Sequence, residues 1–349
     1  MASKRELAVA KLLQRDAESA ARHVDLSLEV WIDGEDEPLL VVGGRWDRVT
    51  NRYTGDAETS VVVRLHRGQA DAARWFAAWL EQHVALRRAR AEGLPAEAAL
   101  EEVFGDDAPQ VSVLLYGGRR GGKSYMACVF AACMAIAVPG ARVVCVSPIL
   151  DHTEELRLVL EQELLAREWR QWKEADQCFD LANGAQIDFL TARKSNLKIG
   201  KVDLALLNEA QEQGKIAAED LAGCLVDSVG LLIGTANPPR SLVGAWVRQW
   251  HDQLTAGKRA SSTQFFLNPA RNPHVPQKVL ESLRESLGEL QYRREVLGDM
   301  TAPMIDVVFP CYSDHANLLP FVPTGWIDVT ARVAGRWYER EARRIVGSD

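Results

Sequence analysis

No apolar run in this 349-residue sequence approaches the roughly 20 residues that a helix needs to cross a bilayer, so no membrane span is expected. The N-terminus interrupts its apolar positions with Lys4, Arg5, Glu6, Lys11 and Arg15, unlike the unbroken core of a secretory signal, and a cytosolic location is the default. Metal-ligand spacings are missing as well. The six cysteines (Cys128, Cys133, Cys145, Cys178, Cys224 and Cys311) form no C-x-x-C pair, and the seven histidines form no H-x-x-H. This argues against structural zinc and, more strongly, against a disulfide framework. Three of the thiols fall in apolar runs, where they behave as small buried hydrophobes. Neither sign of charge dominates. A net charge of −7 argues against coating nucleic acid through the whole surface, while leaving room for a local basic face. No repeat of solenoid length is visible.

What is present is an ordinary globular composition, 47% hydrophobic and 26% charged, in a chain long enough for one large domain or two. The sequence divides into an α+β accessory region (1–105), an alternating strand–helix region (106–300) and a tail (301–349). In the first region, residues 6–22 read as a helix, 26–33, 38–45 and 60–65 as strands, and 70–90 as a helix whose Trp75 and Trp79 share one face and serve packing. Residues 91–109 read as a solvated helix and linker. Strands then follow at 111–116, 142–147, 202–207, 230–234 and 263–267. Helices are expected at 123–138, 153–172, 217–227, 242–254 and 276–297. Segments 178–181 and 185–190, joined through Asn183-Gly184, read as a hairpin. Trp169 with Trp172, and Trp246 with Trp250, stand at helical spacing and read as core. Such alternation predicts a parallel sheet covered by helices on both faces, with ligands at the carboxyl ends of its strands.

At one such strand end stands Gly117-Gly118-Arg119-Arg120-Gly121-Gly122-Lys123-Ser124. It meets G-x-x-x-x-G-K-[ST], with an apolar strand before it and an apolar helix after it, and so predicts a P-loop that binds ATP with Mg²⁺. The glycines allow successive N–H groups to face phosphates, Lys123 supplies a point charge, the Ser124 hydroxyl is a metal ligand, and the helix adds its positive end. Arg119 and Arg120 are unusual in the variable positions; either guanidinium is a candidate for the γ-phosphate.

A second strand should deliver a carboxylate to the attacking water. Leu204-Ala205-Leu206-Leu207 followed by Asn208-Glu209 fits, with Glu209 as the group that orients or deprotonates water. Asn208 stands where Asp is usual; its amide oxygen accepts a hydrogen bond from a metal-bound water but brings no charge, so weaker metal binding is expected. Asp203 lies too far back to replace it. Thr235-Ala236-Asn237 ends the next strand, where Thr235 or Asn237 can sense the γ-phosphate and couple its loss to motion.

Taken in order, these motifs resemble the ATPase domain of the bacteriophage DNA-packaging terminase large subunit. The resemblance rests on the arginine-bearing P-loop, Lys198-Ile199-Gly200-Lys201 before the acidic strand, Thr235-Ala236-Asn237-Pro238, and Asn268-Pro269 with Arg271-Asn272-Pro273-His274 leading into a helix ended by Gly298-Asp299. It covers about residues 110–320. It implies an ASCE-type P-loop NTPase fold and an ATP-driven motor that threads double-stranded DNA into a procapsid. The implied partners are the portal protein and the small terminase subunit, in the host cytoplasm and transiently at the procapsid. A homo-oligomeric ring is implied when assembled, with a monomer compatible with the isolated chain. The family's nuclease uses clustered carboxylates and two metals. Here Arg344–Asp349 resembles only the first nuclease strand, and no DNA cleavage is expected from these residues. Arg193, Lys194, Lys198 and Lys201 form one basic cluster for DNA phosphates, and Arg336, Arg340, Arg343 and Arg344 a second. A helicase-type translocase, a small-molecule kinase and a nucleotide-gated assembly protein with weak turnover remain alternatives, the last kept open by Asn208.

Overall fold

The computed structural model describes residues 22–192 and 199–304. Outside them lie the helix expected over 6–22, except Arg22, the basic residues Arg193, Lys194 and Lys198, the cluster from Arg336 to Arg344, and the strand expected at Arg344–Asp349.

The N-terminal strands β1 (His23–Ile32), β2 (Leu40–Asp47), β3 (Arg52–Tyr53) and β4 (Val61–Leu65) form a sheet of order β3-β2-β1-β4. β1 and β2 are antiparallel, and β4 runs parallel to β1. Period-two alternation puts Val24, Leu26, Leu28, Val30 and Ile32 on one buried face. That face closes over helix α3 (Lys123–Ala137), where every residue from Met126 to Ile136 is buried. A helix apolar on all sides needs cover on all sides, and the N-terminal sheet supplies part of it. Helix α1 (Ala70–Ala91) completes the layer, with Phe76 stacked on Phe130 at 3.9 Å between ring centroids. Helix α2 (Ala96–Phe104) follows and buries only Ala99.

The second sheet has eight strands in the order β12-β5-β11-β10-β6-β9-β8-β7. These are β5 (Ser112–Tyr116), β6 (Arg142–Ser147), β7 (Arg170–Lys173), β8 (Cys178–Leu181), β9 (Gln186–Thr191), β10 (Leu204–Leu207), β11 (Leu231–Ala236) and β12 (Ser262–Phe266). From β12 to β9 all pairings are parallel; β8 and β7 extend the sheet antiparallel. The sheet is therefore mostly parallel rather than wholly so, because the 178–191 hairpin joins it through its second strand. Helices cover both faces: α3 on one, α5 (Lys215–Leu225) and α6 (Ala245–Thr255) on the other, where Trp246 and Trp250 are buried and stacked. This is the α/β architecture of a P-loop NTPase. The P-loop strand β5 and the acidic strand β10 are separated by β11.

Two expected helices are corrected. Residues 153–172 do not form one helix: α4 (Leu150–Val159) passes through one wide turn at Leu160–Leu164 and stops, and 170–173 is strand β7. The Arg170 guanidinium explains the stop, donating to the carbonyl oxygens of Glu161 and Leu165 that the helix end leaves open. Trp172 then packs edge-on against Phe179 and Phe189, so its spacing from Trp169 is not helical. Residues 276–297 divide into α7 (Gln277–Leu287) and α8 (Glu289–Glu295) at Gly288, whose φ of 73° no continuous helix accommodates.

Candidate functional site

The loop between β5 and α3 is pressed into its shape by two neighbouring backbones. A Cβ at Gly117 would stand 2.3 Å from the Leu267 carbonyl oxygen, and one at Gly118 would stand 2.0 Å from that of Val296. No side chain fits at either position. The Arg119 N–H donates to the Glu295 carbonyl oxygen at 2.7 Å, so the segment after α8 lies against the loop. Gly122, at φ 81°, starts α3 in the left-handed conformation. Its carbonyl oxygen accepts from Gln69 Nε2 at 3.2 Å, a contact from the N-terminal layer.

Lys123 is 5% exposed. Its Nζ donates to the carbonyl oxygens of Gly117 (3.3 Å) and Gly118 (2.7 Å) and to Asn237 Oδ1 (2.8 Å). Burial pushes this ammonium down to about 8, against the raising influence of Glu209. One residue on, Ser124 Oγ donates to Asn208 Oδ1 at 2.9 Å, and Thr235 Oγ1 donates to the same oxygen at 2.8 Å. Asn208 is thus buried as a double acceptor. Glu209 has left-handed backbone angles, φ 50° and ψ 50°, uncommon for a side-chain-bearing residue and concentrated at functional sites. Its N–H donates to Thr235 Oγ1, and its Oε2 accepts from Asn237 Nδ2 at 3.0 Å and from Gln211 Nε2. Asn237 therefore joins Lys123 to Glu209 through the two ends of one amide.

The two loop arginines differ. Arg119 Nε pairs with Glu295 Oε2 at 2.8 Å although its side chain is 61% exposed. Arg120 is exposed at φ 69°, its carbonyl oxygen held by Asn272 Nδ2 at 2.7 Å. Arg240 pairs with the other oxygen of Glu295 at 2.6 Å. Arg119, Gln211, Asn237, Arg240 and Glu295 line a cavity of about 290 Å³ beside the loop.

The chemistry of this donor set fits a nucleotide with its own magnesium. Among the described residues no group of three or more His, Cys, Asp or Glu side chains can hold a metal, whereas Ser124 and Asn208 offer neutral oxygens at the head of the glycine-rich loop. Magnesium in phosphoryl-transfer sites is held in this way, by few protein ligands plus phosphates and water.

The fold thus brings together the glycines, Lys123, Ser124, Asn208, Glu209, Thr235 and Asn237. Lys201 is exposed and apart from them, and Ala236 is buried in β11. Sequence reasoning missed Gln211, Arg240, Glu295 and Gln213, whose Nε2 donates to the Asn208 carbonyl oxygen at 2.5 Å. The polar run Asn208-Glu209-Ala210-Gln211-Glu212-Gln213 was a signal for Gln211 and Gln213. Arg240 and Glu295 carry no local pattern, because they meet only through the tertiary fold. Asp203 is held by Arg87 Nη1 (3.1 Å) and the Arg142 N–H (2.9 Å), away from the loop.

No protein-family profile and no curated protein matches this sequence. Similar solved structures are the large-terminase ATPase domain of Thermus phage P74-26, at 19% identity and TM-score 0.45, covering 58% of this chain and 93% of that one, and the large terminase of the thermophilic bacteriophage D6E in complex with ADP, at 11% identity and TM-score 0.47, covering 71% and 59%. The large terminase of bacteriophage HK97 is similar at 14% identity and TM-score 0.46, covering 58% and 49%. The chain therefore spans about half to three-fifths of the D6E and HK97 chains, and what it is similar to is the large terminase of phages.

Proposed function

We propose that the chain is an ATP-hydrolysing motor of the terminase large-subunit type, which drives double-stranded DNA into a procapsid. The observation that carries this reading is the convergence of Lys123, Ser124, Asn208, Glu209 and Asn237 at the carboxyl ends of three adjacent strands. The P-loop N–H groups and Lys123 hold the phosphates. Ser124 and Asn208 would hold Mg²⁺, which would supply positive charge to offset that of the phosphates. Glu209 takes the proton of the attacking water as its oxygen bonds to the γ-phosphorus and the bond to the ADP oxygen breaks. Arg119 or Arg120 meets the charge that develops on the γ-phosphate. Thr235 touches Asn208 and Glu209, and Asn237 touches Lys123 and Glu209, which suits a sensor of phosphate loss.

Lys201, with Arg193, Lys194 and Lys198, is assigned to DNA phosphates; the partners are portal protein, small terminase subunit and further copies in a ring. The neutral Asn208 favours one second reading, a nucleotide-gated assembly protein with slow turnover. The test is ATP hydrolysis with and without DNA. Stimulation by double-stranded DNA, abolished by Glu209→Ala, is expected. Stimulation by single strands alone points to a helicase-type translocase, and Glu209→Ala as fast as wild type removes the catalytic assignment.

A further inference from the structure

Gln211 has no place in the reading so far, yet it is 6% exposed and both ends of its amide are engaged inside the site. Its Nε2 donates to Glu209 Oε2, and its Oε1 accepts the backbone N–H of Asn237 at 3.0 Å. Three features make this more than an incidental contact. Glu209 leaves the regular strand in a left-handed conformation, so neighbouring side chains, rather than the pleat, set where its carboxylate lies. Both hydrogen bonds to Oε2 come from amides, Gln211 and Asn237, which are themselves bonded to each other through the Asn237 N–H. The Gln211 backbone is also fixed: a Cβ at Gly244 would stand 2.3 Å from its carbonyl oxygen and 2.9 Å from Pro239 Cβ.

We infer that Gln211 is a positioning residue for hydrolysis, a two-handed yoke that makes the Glu209 carboxylate and the Thr235–Asn237 end of β11 move as one body. The inference rests on the hydrolytic reading of Glu209. It adds what that reading lacks, a physical link by which a shift of that strand end re-aims the carboxylate. A carboxylate held by one amide can pivot about that bond; held by two amides tied to one another, it follows them.

The experiment measures kcat and KM for Mg²⁺·ATP on the whole 349-residue chain, with thermal midpoints. Gln211→Met removes both hands at similar volume. Gln211→Glu keeps the acceptor for the Asn237 N–H but loses the donor to Glu209. Both should lower kcat by about tenfold to a hundredfold, the scale of a misplaced reacting group, with KM within about twofold. Gly244→Ala, which presses on the Gln211 backbone from outside the site, should lower kcat in the same manner. Combined with Asn237→Ala, Gln211→Met should cost little beyond the worse single variant, because the two act as a unit. Unchanged kcat in Gln211→Met overturns the yoke, provided wild type hydrolyses ATP and Glu209→Ala does not. Losses that multiply in the double variant overturn it too, as does a kcat loss matched by a rise in KM and a fall in midpoint. A wild-type chain that hydrolyses no ATP overturns the hydrolytic reading itself, and the yoke with it.

Discussion

Lys123 is a cation held where burial disfavours its charge, with its ammonium pushed down to about 8 from the ordinary 10.5 of lysine. Between those values the unfolded chain binds more protons than the folded one, so the folded state gains stability as pH rises through that window. Phosphate oxygens brought against the same nitrogen favour the charged form. ATP binding should therefore take up close to one proton at a pH of about 8.5 to 9 and almost none near 6.5, as read by calorimetry in buffers of different ionisation enthalpy; equal uptake at both would refute this. Asn208 offers the complementary case. On the proposed reading Asn208→Asp adds charge where magnesium would sit and should lower the half-saturating Mg²⁺ for hydrolysis about three- to tenfold. A raised Mg²⁺ requirement would mean that the Ser124 and Thr235 hydroxyls, both donating to Asn208 Oδ1, need the neutral amide. Residues of this kind were legible in the sequence because each stands inside a contiguous motif at a strand end. Gln211 sits in a polar run, but its tie to the Asn237 N–H, 26 residues on, has no local sign; Glu295 has none at all, since Arg240 and Arg119 lie 55 and 176 residues before it.

At the scale of elements, the segment from α8 to Gly298 acts as a wall for the phosphate loop. Glu295 ties that wall to Arg119 in the loop and to Arg240 after β11. Burial alone would raise the Glu295 carboxyl, but the Arg240 hydrogen bond and the charges of Arg240, Arg119 and Arg294 hold it below its ordinary 4.5. The stability it contributes is present above 4.5 and lost as pH falls through the lower, folded value. Glu295→Gln should cost about 2 kcal/mol near neutral pH and flatten the acid limb of the stability profile, both measurable by chemical melts at stepped pH. An unchanged acid limb would remove Glu295 from that role. Strands and the P-loop helix could be read from apolar runs and turn signals. The stretch 153–172 could not, because its apolar spacing suits a helix while the Arg170 contacts and the aromatic cluster of Trp172, Phe179 and Phe189 decide for a strand. Likewise, nothing local announces that the 178–191 hairpin joins the parallel sheet.

At the scale of the molecule, the N-terminal layer and the P-loop helix share one hydrophobic cluster, from Leu26 and Phe76 to Phe130 and Ile136. Polar contacts cross the same boundary. Arg87 and His83 of α1 meet Asp203 at the root of β10. Burial holds the His83 imidazole below its ordinary 6.5, against the raising influence of Asp203 and with Arg87 and Arg90 lowering it further. The unfolded chain therefore binds more protons as pH falls below 6.5, and stability declines there. His83→Phe, which keeps a ring stacked on Trp79, should make the thermal midpoint less sensitive to pH between about 4 and 6.5; an identical slope would dismiss His83 as its source. Asp203 has a further consequence. Held by α1 at one end, β10 runs five steps of about 3.3 Å, roughly 16 Å, to Asn208. An extended strand inside a sheet has no slack to take up. Held at one end by Arg87 of α1 and paired along its length with β11 and β6, this stretch joins the N-terminal layer to the acidic end of β10 through one continuous run of extended backbone.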